Sequence, residues 1–223
     1  IIAGAKHVII SAPAKGDMKT IVFGVNSRSL DGSEKIISAA SCTTKCHAPV
    51  LNLLDKAYGV EHGYMTTIHA TTNDQTPLDV AHKKGAFSRR GRSALENIIP
   101  ASTGAASAIG KVLPNLNGKL KGSAFRVPTI DGSVVDLTVK LGKSVTKEEI
   151  NEMFKNNQSD VIKFTMDPIV SSDVIGTHAG SLVDGLLTDV LECDGEELVK
   201  VVAWYDNEMS YTCQMIRTAK HLI

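Results

Sequence analysis

The spacing of apolar residues divides the chain into short strand-like runs and a few helical stretches. Strand-like runs are apolar or alternating segments closed by turn residues, and they are predicted at 8–10, 21–25, 36–37, 64–72, 124–129, 134–141, 186–191 and 198–204. Helices are predicted from Pro49 to a stop at Gly59, from the residues after 102–104 to Val112, and after the capping box 146–149. A fourth helix is predicted from Glu208 to the end, and its apolar side consists of Met209, Cys213, Ile216 and Ala219. This alternation indicates a mixed α/β or α+β protein, although periodicity cannot order the strands.

Composition and charge narrow the class of protein. The 223 residues can bury a substantial core, and 24 basic residues balance 24 acidic ones, so no basic excess points to nucleic acid as the main partner. No apolar run approaches the ~20 residues needed to cross a bilayer, and the first residues lack the features of a signal peptide. Four scattered cysteines do not form a secreted disulfide framework. We therefore expect a cytoplasmic protein with reduced thiols and no membrane partner.

Cys42 is the candidate nucleophile. Hydroxyl residues and a predicted helix follow it, and free N–H groups and the helix dipole at a helix start favour a thiolate. A plain buried thiol is the commoner explanation of a lone cysteine. His69 is the candidate base that would pair with the thiol, although a histidine in a strand is more often structural. Cys42, Cys46 and His47 cluster, but no second cluster has zinc-ligand spacing, so no metal is predicted.

Several hydroxyls and two arginines are candidate anion ligands. Ser41, Thr43, Thr103 and Gly104 stand at two helix starts, where ordinary capping is the commoner role. Arg126 interrupts an apolar strand and therefore needs an anion or a route to water. We favour an anion for Arg126, whereas a solvated loop is the default for Arg90.

Five sequence blocks together resemble the glyceraldehyde-3-phosphate dehydrogenase family. The blocks are SCTT at 41–44, MTTIHA at 65–70, IIPASTGAA at 98–106, FRVPT at 125–129 and WYDNE at 204–208. They occur in the family's order and cover essentially the whole chain. The resemblance implies NAD-dependent oxidation of glyceraldehyde 3-phosphate to 1,3-bisphosphoglycerate in glycolysis. Cys42 would form a thiohemiacetal and then a thioester that inorganic phosphate cleaves, with His69 as the base.

The resemblance also implies roles for the other residues. Ser41, Thr43, Thr103, Gly104 and Arg90 would hold the attacking phosphate, and Thr72 and Arg126 would hold the substrate phosphate. Asn207, Tyr211, Ser11 and Asn73 would contact NAD. The resemblance starts the first helix at the active cysteine rather than at Pro49, and it assigns the loop 74–92 to subunit and cofactor contacts in a homotetramer.

The implied fold is α+β, with a mixed, mostly antiparallel sheet and helices on one face. Residues 1–40 are expected to be remnant strands of a Rossmann-type dinucleotide-binding domain, 41–206 the catalytic domain, and 207–223 a helix that packs back on the cofactor domain. The sequence has no GxGxxG turn to cradle a dinucleotide. We therefore expect an incomplete chain that by itself binds NAD poorly and is inactive.

Two positions depart from the family. Lys45 stands where asparagine is usual and His47 where leucine is usual. A cation near Cys42 should lower the pKa of the thiol, unless Lys45 points to solvent. Erythrose-4-phosphate dehydrogenase and a non-catalytic binding protein remain alternatives, and the choice between NAD and NADP stays open.

Overall fold

The computed structural model describes residues 1–78, 80–85 and 87–222, which form two sheets and four helices. The strands are β1 (Val8–Ile10), β2 (Ile36–Ser38), β3 (Val60–His69), β4 (Ile99–Ala101), β5 (Leu120–Arg126), β6 (Ser133–Leu141), β7 (Ile162–Thr165), β8 (Ser181–Cys193) and β9 (Glu196–Tyr205). The helices are α1 (Cys42–Tyr58), α2 (Ala105–Val112), α3 (Lys147–Asn156) and α4 (Met209–Leu222).

The main sheet has seven strands in the order β4-β5-β3-β6-β9-β8-β7. Its pairs β3–β6, β4–β5, β6–β9 and β8–β9 are antiparallel, and the pairs β3–β5 and β7–β8 are parallel. The strands β1 and β2 form a separate parallel pair. The predicted α+β fold with a mixed, mostly antiparallel sheet is therefore confirmed.

The core lies between one face of the main sheet and the helices α1, α2 and α3. Strand β6 alternates strictly between buried and half-buried residues, so one side of the strand faces this core. The inward residues of β6 and β9 share one apolar cluster with Leu51 and Leu54 of α1, Ile109 of α2 and Phe154 of α3. The helices thus cover one face of the sheet, as predicted.

Helix α1 begins at Cys42, one residue after its cap. The hydroxyl of Ser41 accepts a hydrogen bond from the N–H of Thr44, and Gly59 ends the helix with a positive φ of 74°. Pro49 lies inside the helix. The start at Pro49 suggested by local sequence is wrong and the start implied by the family is right, because the Ser41 cap outweighs the proline signal.

The run 21–25 is not a strand. Ile21 and Val22 are buried, but the chain turns here, and only Thr20 forms an isolated parallel bridge to Ser38. The side chain of Asn26 accepts from the N–H of Val22 and donates to the carbonyl of Thr20. The Asn26 amide thus makes the backbone hydrogen bonds that a neighbouring strand would otherwise make. The apolar pattern alone does not reveal this role of Asn26.

The end of α4 packs against the first 40 residues. Leu222 forms a small apolar cluster with Ile21 and Ile37, and the ring of His221 meets Phe23 edge-on at 6.1 Å. The other buried residues of α4 are polar. The apolar side that the sequence predicts for this helix includes Met209 and Ile216, which are 44% and 47% exposed. Residue 223, the last of the predicted terminal helix, lies outside the described residues. The division into domains stays a prediction.

None of the helices in the described part of the chain combines the length and the apolar character that crossing a membrane requires.

Candidate active site

The sulfur of Cys42 and the imidazole of His69 are in contact. Cys42 is the first residue of α1 and His69 is the last residue of β3, and Sγ lies 3.4 Å from Nε2. The helix start therefore presents the sulfur to the end of the strand. This contact joins residues 27 positions apart, and it is the geometry that nucleophilic activation by a base requires.

The main chain and Arg126 orient the ring of His69. Nδ1 lies 2.8 Å from the carbonyl of Ala70 and 2.9 Å from Nη1 of Arg126. A carbonyl can only accept and a guanidinium can only donate, so the two contacts demand different tautomers. Arg126 also donates to the Ala70 carbonyl at 3.0 Å, so it has an acceptor other than Nδ1. We therefore assign the proton to Nδ1. Nε2 is then free to accept the thiol proton of Cys42.

Burial keeps both partners of this pair neutral. It raises the pKa of Cys42, against the lowering effects of hydrogen bonds from Thr43 and of the charge on Arg126. Burial and Arg126 lower the pKa of His69 to about 4. Burial in this structure therefore opposes the thiolate expected at the helix start, because a charged sulfur is costly to bury. The structure instead presents a thiol beside a neutral base.

Arg126 and Thr72 form a polar pair beside His69. Nη1 of Arg126 donates to the hydroxyl of Thr72 at 3.0 Å, and Nε of Arg126 is buried without a partner among the described residues. Arg90 forms an ion pair with Asp74, and both groups influence the pKa of His69, so they lie close to this cluster. The structure thus brings together Thr72, Arg90 and Arg126, three of the predicted phosphate ligands.

The hydroxyls of Ser41 and Thr43 already have partners within the fold. Ser41 caps α1 through Thr44, and Thr43 is buried, with its hydroxyl 2.9 Å from that of Tyr205. Both residues lie next to Cys42 in the sequence. The binding of phosphate by Ser41 and Thr43 stays a prediction. The hydroxyl of Thr43 has less capacity left for a hydrogen bond to phosphate than that of Ser41.

Thr103 and Gly104 lie at the start of α2. The hydroxyl of Thr103 accepts from the N–H of Ala105, and Gly104 is the exposed residue that precedes the helix. Helices α1 and α2 pack against each other. Within the described residues no hydrogen bond joins these two positions to Cys42 or His69, so their place in a phosphate site also stays a prediction.

Asn207 is tied to the strand that carries His69. Its Oδ1 accepts from the hydroxyl of Ser133 at 2.7 Å, and that hydroxyl accepts from the N–H of Ala70. Tyr211 lies four residues later, in the first turn of α4, and its hydroxyl donates to the carbonyl of Ala40. The predicted nicotinamide residues Asn207 and Tyr211 therefore border the Cys42 region.

Ser11 and Asn73, the other predicted cofactor residues, are both exposed. Ser11 follows strand β1, and Asn73 begins a short 3₁₀ turn directly after Thr72. Asn73 is therefore beside the Arg126–Thr72 pair, whereas Ser11 belongs to the segment that carries the two-stranded sheet. Their cofactor roles stay predictions.

Sequence reasoning missed two features that support the site. Tyr205 is fully buried, its hydroxyl lies 2.9 Å from the hydroxyls of both Thr43 and Thr67, and its ring meets that of His69 at 5.9 Å. Ala40 has a φ of +58°, a strained conformation for a residue other than glycine, two positions before the thiol. The WYDNE block contained Tyr205 as a signal, but nothing in the sequence signals the strain at Ala40.

No cluster of metal-ligating side chains appears in 1–78, 80–85 and 87–222. Groups of three or more His, Cys, Asp or Glu side chains that could hold a metal ion are absent there.

This fold and site place a cysteine at a helix start, with its sulfur in contact with a histidine ring. The family profile described as "Glyceraldehyde 3-phosphate dehydrogenase, C-terminal domain" matches residues 41–207. The chain belongs to this family.

Proteins named glyceraldehyde-3-phosphate dehydrogenase are similar to almost all of the chain. The protein from Clostridium pasteurianum is 56% identical over 98% of this chain and 65% of its own length. The protein from Clostridium acetobutylicum is 56% identical over 97% of this chain and 64% of its own length, and the one from Streptococcus pyogenes is 54% identical over 98% and 65%. The chain thus spans about two thirds of the length of these relatives, slightly less than that fraction in each case.

Proposed function

We propose that this chain forms the catalytic part of a phosphorylating glyceraldehyde-3-phosphate dehydrogenase. The reaction oxidises glyceraldehyde 3-phosphate to 1,3-bisphosphoglycerate. The observation that supports the proposal best is the 3.4 Å contact between Sγ of Cys42 and Nε2 of His69, beside the Arg126–Thr72 pair. A nucleophile, a base and an anion ligand thus stand together where a small phosphorylated aldehyde can react.

Cys42 attacks the aldehyde carbon, and His69 removes the thiol proton during the attack. The neutral pair suits this order, because a free imidazole nitrogen must be present before the proton moves. The protonated ring and the N–H of Cys42 then stabilise the oxyanion of the thiohemiacetal, an interaction that is worth about 2.7–4 kcal/mol in other enzymes. Loss of hydride leaves a thioester on Cys42, and inorganic phosphate cleaves it.

The residues near Cys42 suit a nicotinamide cofactor. NAD, when bound, supplies the hydride acceptor. Asn207 donates one amide hydrogen to Glu208 and keeps the second, which is a suitable donor for a carboxamide oxygen. The half-buried ring of Tyr211 offers an aromatic surface nearby. Asn207 and Tyr211 would hold the nicotinamide end, and Ser11 and Asn73 would add exposed polar contacts.

The phosphate of the substrate binds at Arg126 and Thr72. The unpartnered Nε of Arg126 is a buried donor, and a planar guanidinium can bind two phosphate oxygens at once. Arg90 is half-buried and could exchange its bond to Asp74 for an anion. The attacking phosphate would use Arg90 together with Ser41, Thr43, Thr103 and Gly104.

Selective acylation of Cys42 tests the nucleophile without a cofactor. We expect p-nitrophenyl acetate to acylate Cys42 before Cys46, Cys193 and Cys213, as read by peptide mass spectrometry. His69→Gln should slow acylation by about 10²–10⁴-fold, the usual contribution of a general base. Cys193→Ser, at an exposed cysteine away from the site, is the matched control and should leave the rate unchanged. Equal acylation of all four cysteines would contradict the proposal and favour a non-catalytic protein.

Dependence on phosphate tests the second half-reaction. In the complete protein that contains this chain, NADH production from glyceraldehyde 3-phosphate should require added phosphate. Arg126→Leu should raise KM for the substrate, because Arg126 binds its phosphate in both ground and transition states. Turnover that continues without phosphate would indicate hydrolysis of the thioester, the route expected of erythrose-4-phosphate dehydrogenase.

The complete protein is a homotetramer in this proposal. Two surfaces support self-association. The loop 74–92 exposes the large apolar residues Leu78, Val80 and Phe87, and the open face of the main sheet has a groove of about 470 Å³ bordered by Trp204 and Leu187. A reducing compartment such as the cytoplasm suits the four cysteines, none of which is in a disulfide.

A further inference from the structure

The hydroxyl of Tyr205, the last residue of β9, joins the two elements that carry Cys42 and His69. It lies 2.9 Å from the hydroxyl of Thr43, which directly follows Cys42 at the start of α1. It also lies 2.9 Å from the hydroxyl of Thr67, which is on the same buried face of β3 as His69. One phenol group thus connects the neighbour of the sulfur to the strand that carries the imidazole.

The hydrogen bonds through Tyr205 run in one direction. Thr67 donates its hydroxyl proton to the carbonyl of Val134 on β6 at 3.2 Å. A threonine hydroxyl has a single proton, so Thr67 accepts from Tyr205, and Tyr205 accepts from Thr43. Burial raises the pKa of Tyr205, so the phenol keeps the proton that it donates. The three hydroxyls therefore form one chain of hydrogen bonds that crosses from α1 through β9 to β3 and β6.

The ring of Tyr205 also restricts the ring of His69. The two ring centres are 5.9 Å apart and the ring planes meet at 80°, an edge-on packing that aromatic rings favour. The ring of His69 is thus fixed by packing as well as by the contact of Nδ1 with the Ala70 carbonyl. Tyr205 therefore acts on both members of the reactive pair, on His69 directly and on Cys42 through Thr43.

We propose that Tyr205 is a positioning residue of the candidate active site: its hydroxyl fixes the start of α1 to β3, so that Sγ of Cys42 stays within reach of Nε2 of His69. This inference rests on the proposed function, in which His69 removes the thiol proton. The sulfur and the nitrogen are 3.4 Å apart, and proton transfer requires that this distance be kept. Tyr205 acts through its neighbours and does not touch the substrate.

The rate at which p-nitrophenyl acetate acylates Cys42 tests the proposal, with the modified cysteine identified by peptide mass spectrometry. Tyr205→Phe removes the hydroxyl and keeps the ring. We expect it to slow acylation of Cys42 by about 10- to 10²-fold, because a displacement of about 1 Å can cost that much in rate. Tyr58→Phe is the matched control. Its hydroxyl donates to the carbonyl of Glu149 at the other end of α1, so its loss should leave the rate unchanged.

A double variant shows whether Tyr205 acts through His69. In a chain that already carries His69→Gln, there is no imidazole to position, so adding Tyr205→Phe should hardly change the remaining rate of acylation. The same fold-change in both chains would overturn the inference, because independent effects multiply. An unchanged rate in Tyr205→Phe alone would also overturn it, while selective acylation of Cys42 would still support the proposed function.

Two substitutions of Thr67 cover the case in which Tyr205→Phe does not fold. Thr67→Ser keeps the hydroxyl that accepts from Tyr205, so we expect it to retain the rate of Cys42 acylation. Thr67→Val keeps the shape of the side chain and loses the hydroxyl, so it should slow acylation as Tyr205→Phe does. Circular dichroism checks that each variant is folded. A folded Thr67→Val chain that reacts as fast as Thr67→Ser would reject the inference.

Discussion

His47 is a buried residue that the fold does not satisfy. It is fully buried on α1, and neither ring nitrogen has a hydrogen-bond partner in the part of the chain that the structure describes. A buried polar group left unpaired costs about 1–3 kcal/mol. We therefore expect His47→Leu to raise the free energy of unfolding by about this amount at neutral pH, as measured by urea denaturation. His62→Leu, the same change at an exposed position of β3, is the control.

The same residue should make the protein sensitive to acid. Burial lowers the pKa of His47 to about 3 from 6.5, so the unfolded chain binds the proton first as pH falls. The contribution of His47 to stability is then lost as pH falls from 6.5 to about 3, and it does not change further at lower pH. His47→Leu should remove this part of the pH dependence. An identical acid dependence in the two chains would show that His47 accepts a proton or a water molecule without cost.

Lys45 should make the free energy of unfolding depend on pH in the alkaline range. Its pKa is about 7 in the fold and 10.5 as an ordinary lysine, so the unfolded chain binds more protons between these values. Stability should therefore rise as pH increases from about 7 to 10.5. Lys45→Met should flatten this rise in urea denaturation across that range, whereas Lys56→Met should not. A rise that persists in Lys45→Met would have to come from another group.

The sequence could name the residues that meet at the site, but it could not predict their geometry. Cys42 and His69 were identified from short blocks of sequence, and the structure places them 3.4 Å apart. Spacing along the chain could not show this, because the contact depends on the packing of α1 against the sheet. Burial also decides where a charged side chain lies, so the option of a solvent-facing Lys45 was wrong, while the thiolate at Cys42 stays a prediction that burial opposes.

At the scale of elements, the clearest local signal concerns helix α3. Thr146 accepts from the N–H of Glu149, and the carboxylate of Glu149 accepts from the N–H of Thr146, so the predicted capping box is confirmed. Thr146→Ala should lower the free energy of unfolding by about 1 kcal/mol, because the N–H of Glu149 loses its fixed acceptor. Ser144→Ala, at an exposed neighbour before the helix, should change stability little. Thermal denaturation of the two variants measures the difference, and equal midpoints would contradict the role of the cap.

The sequence pattern did not predict the elements whose conformation depends on residues distant in the chain. Strands β4 and β7 are short, and the sequence pattern assigned neither of them. Each is an edge strand of the main sheet, and β4 contains Pro100. The run 21–25 has the apolar pattern of a strand but forms a turn that Asn26 stabilises. Local pattern thus predicted long or capped elements well and short edge elements poorly.

For the whole molecule, the fold class was predictable and the order of strands was not. Local periodicity left mixed α/β and α+β open, and only the resemblance to a family selected α+β. The order β4-β5-β3-β6-β9-β8-β7 arises because β3 pairs with the distant strands β5 and β6 rather than with a sequence neighbour on both sides. Such pairings depend on how the helices cover the core, which no window of sequence contains.

The two parts of the molecule should differ in local stability. The seven-stranded sheet and its helices share one large apolar core, whereas the first 40 residues and the end of α4 share a cluster of only three buried residues, Ile21, Ile37 and Leu222. Regions with few buried apolar contacts open at lower free energy. We therefore expect amide hydrogens of β1 and β2 to exchange faster than those of β3 and β6.

Leu222→Ala tests whether α4 holds the first 40 residues in place. Because Leu222 is buried between Ile21 and Ile37, its truncation should speed hydrogen exchange in β1 and β2 and leave β3 and β6 unchanged, as measured by mass spectrometry. Ile216→Ala shortens an exposed apolar side chain of the same helix and should have no such effect. Faster exchange throughout the chain in Leu222→Ala would mean that the small cluster supports the main core as well, since the two parts would then unfold as one cooperative unit.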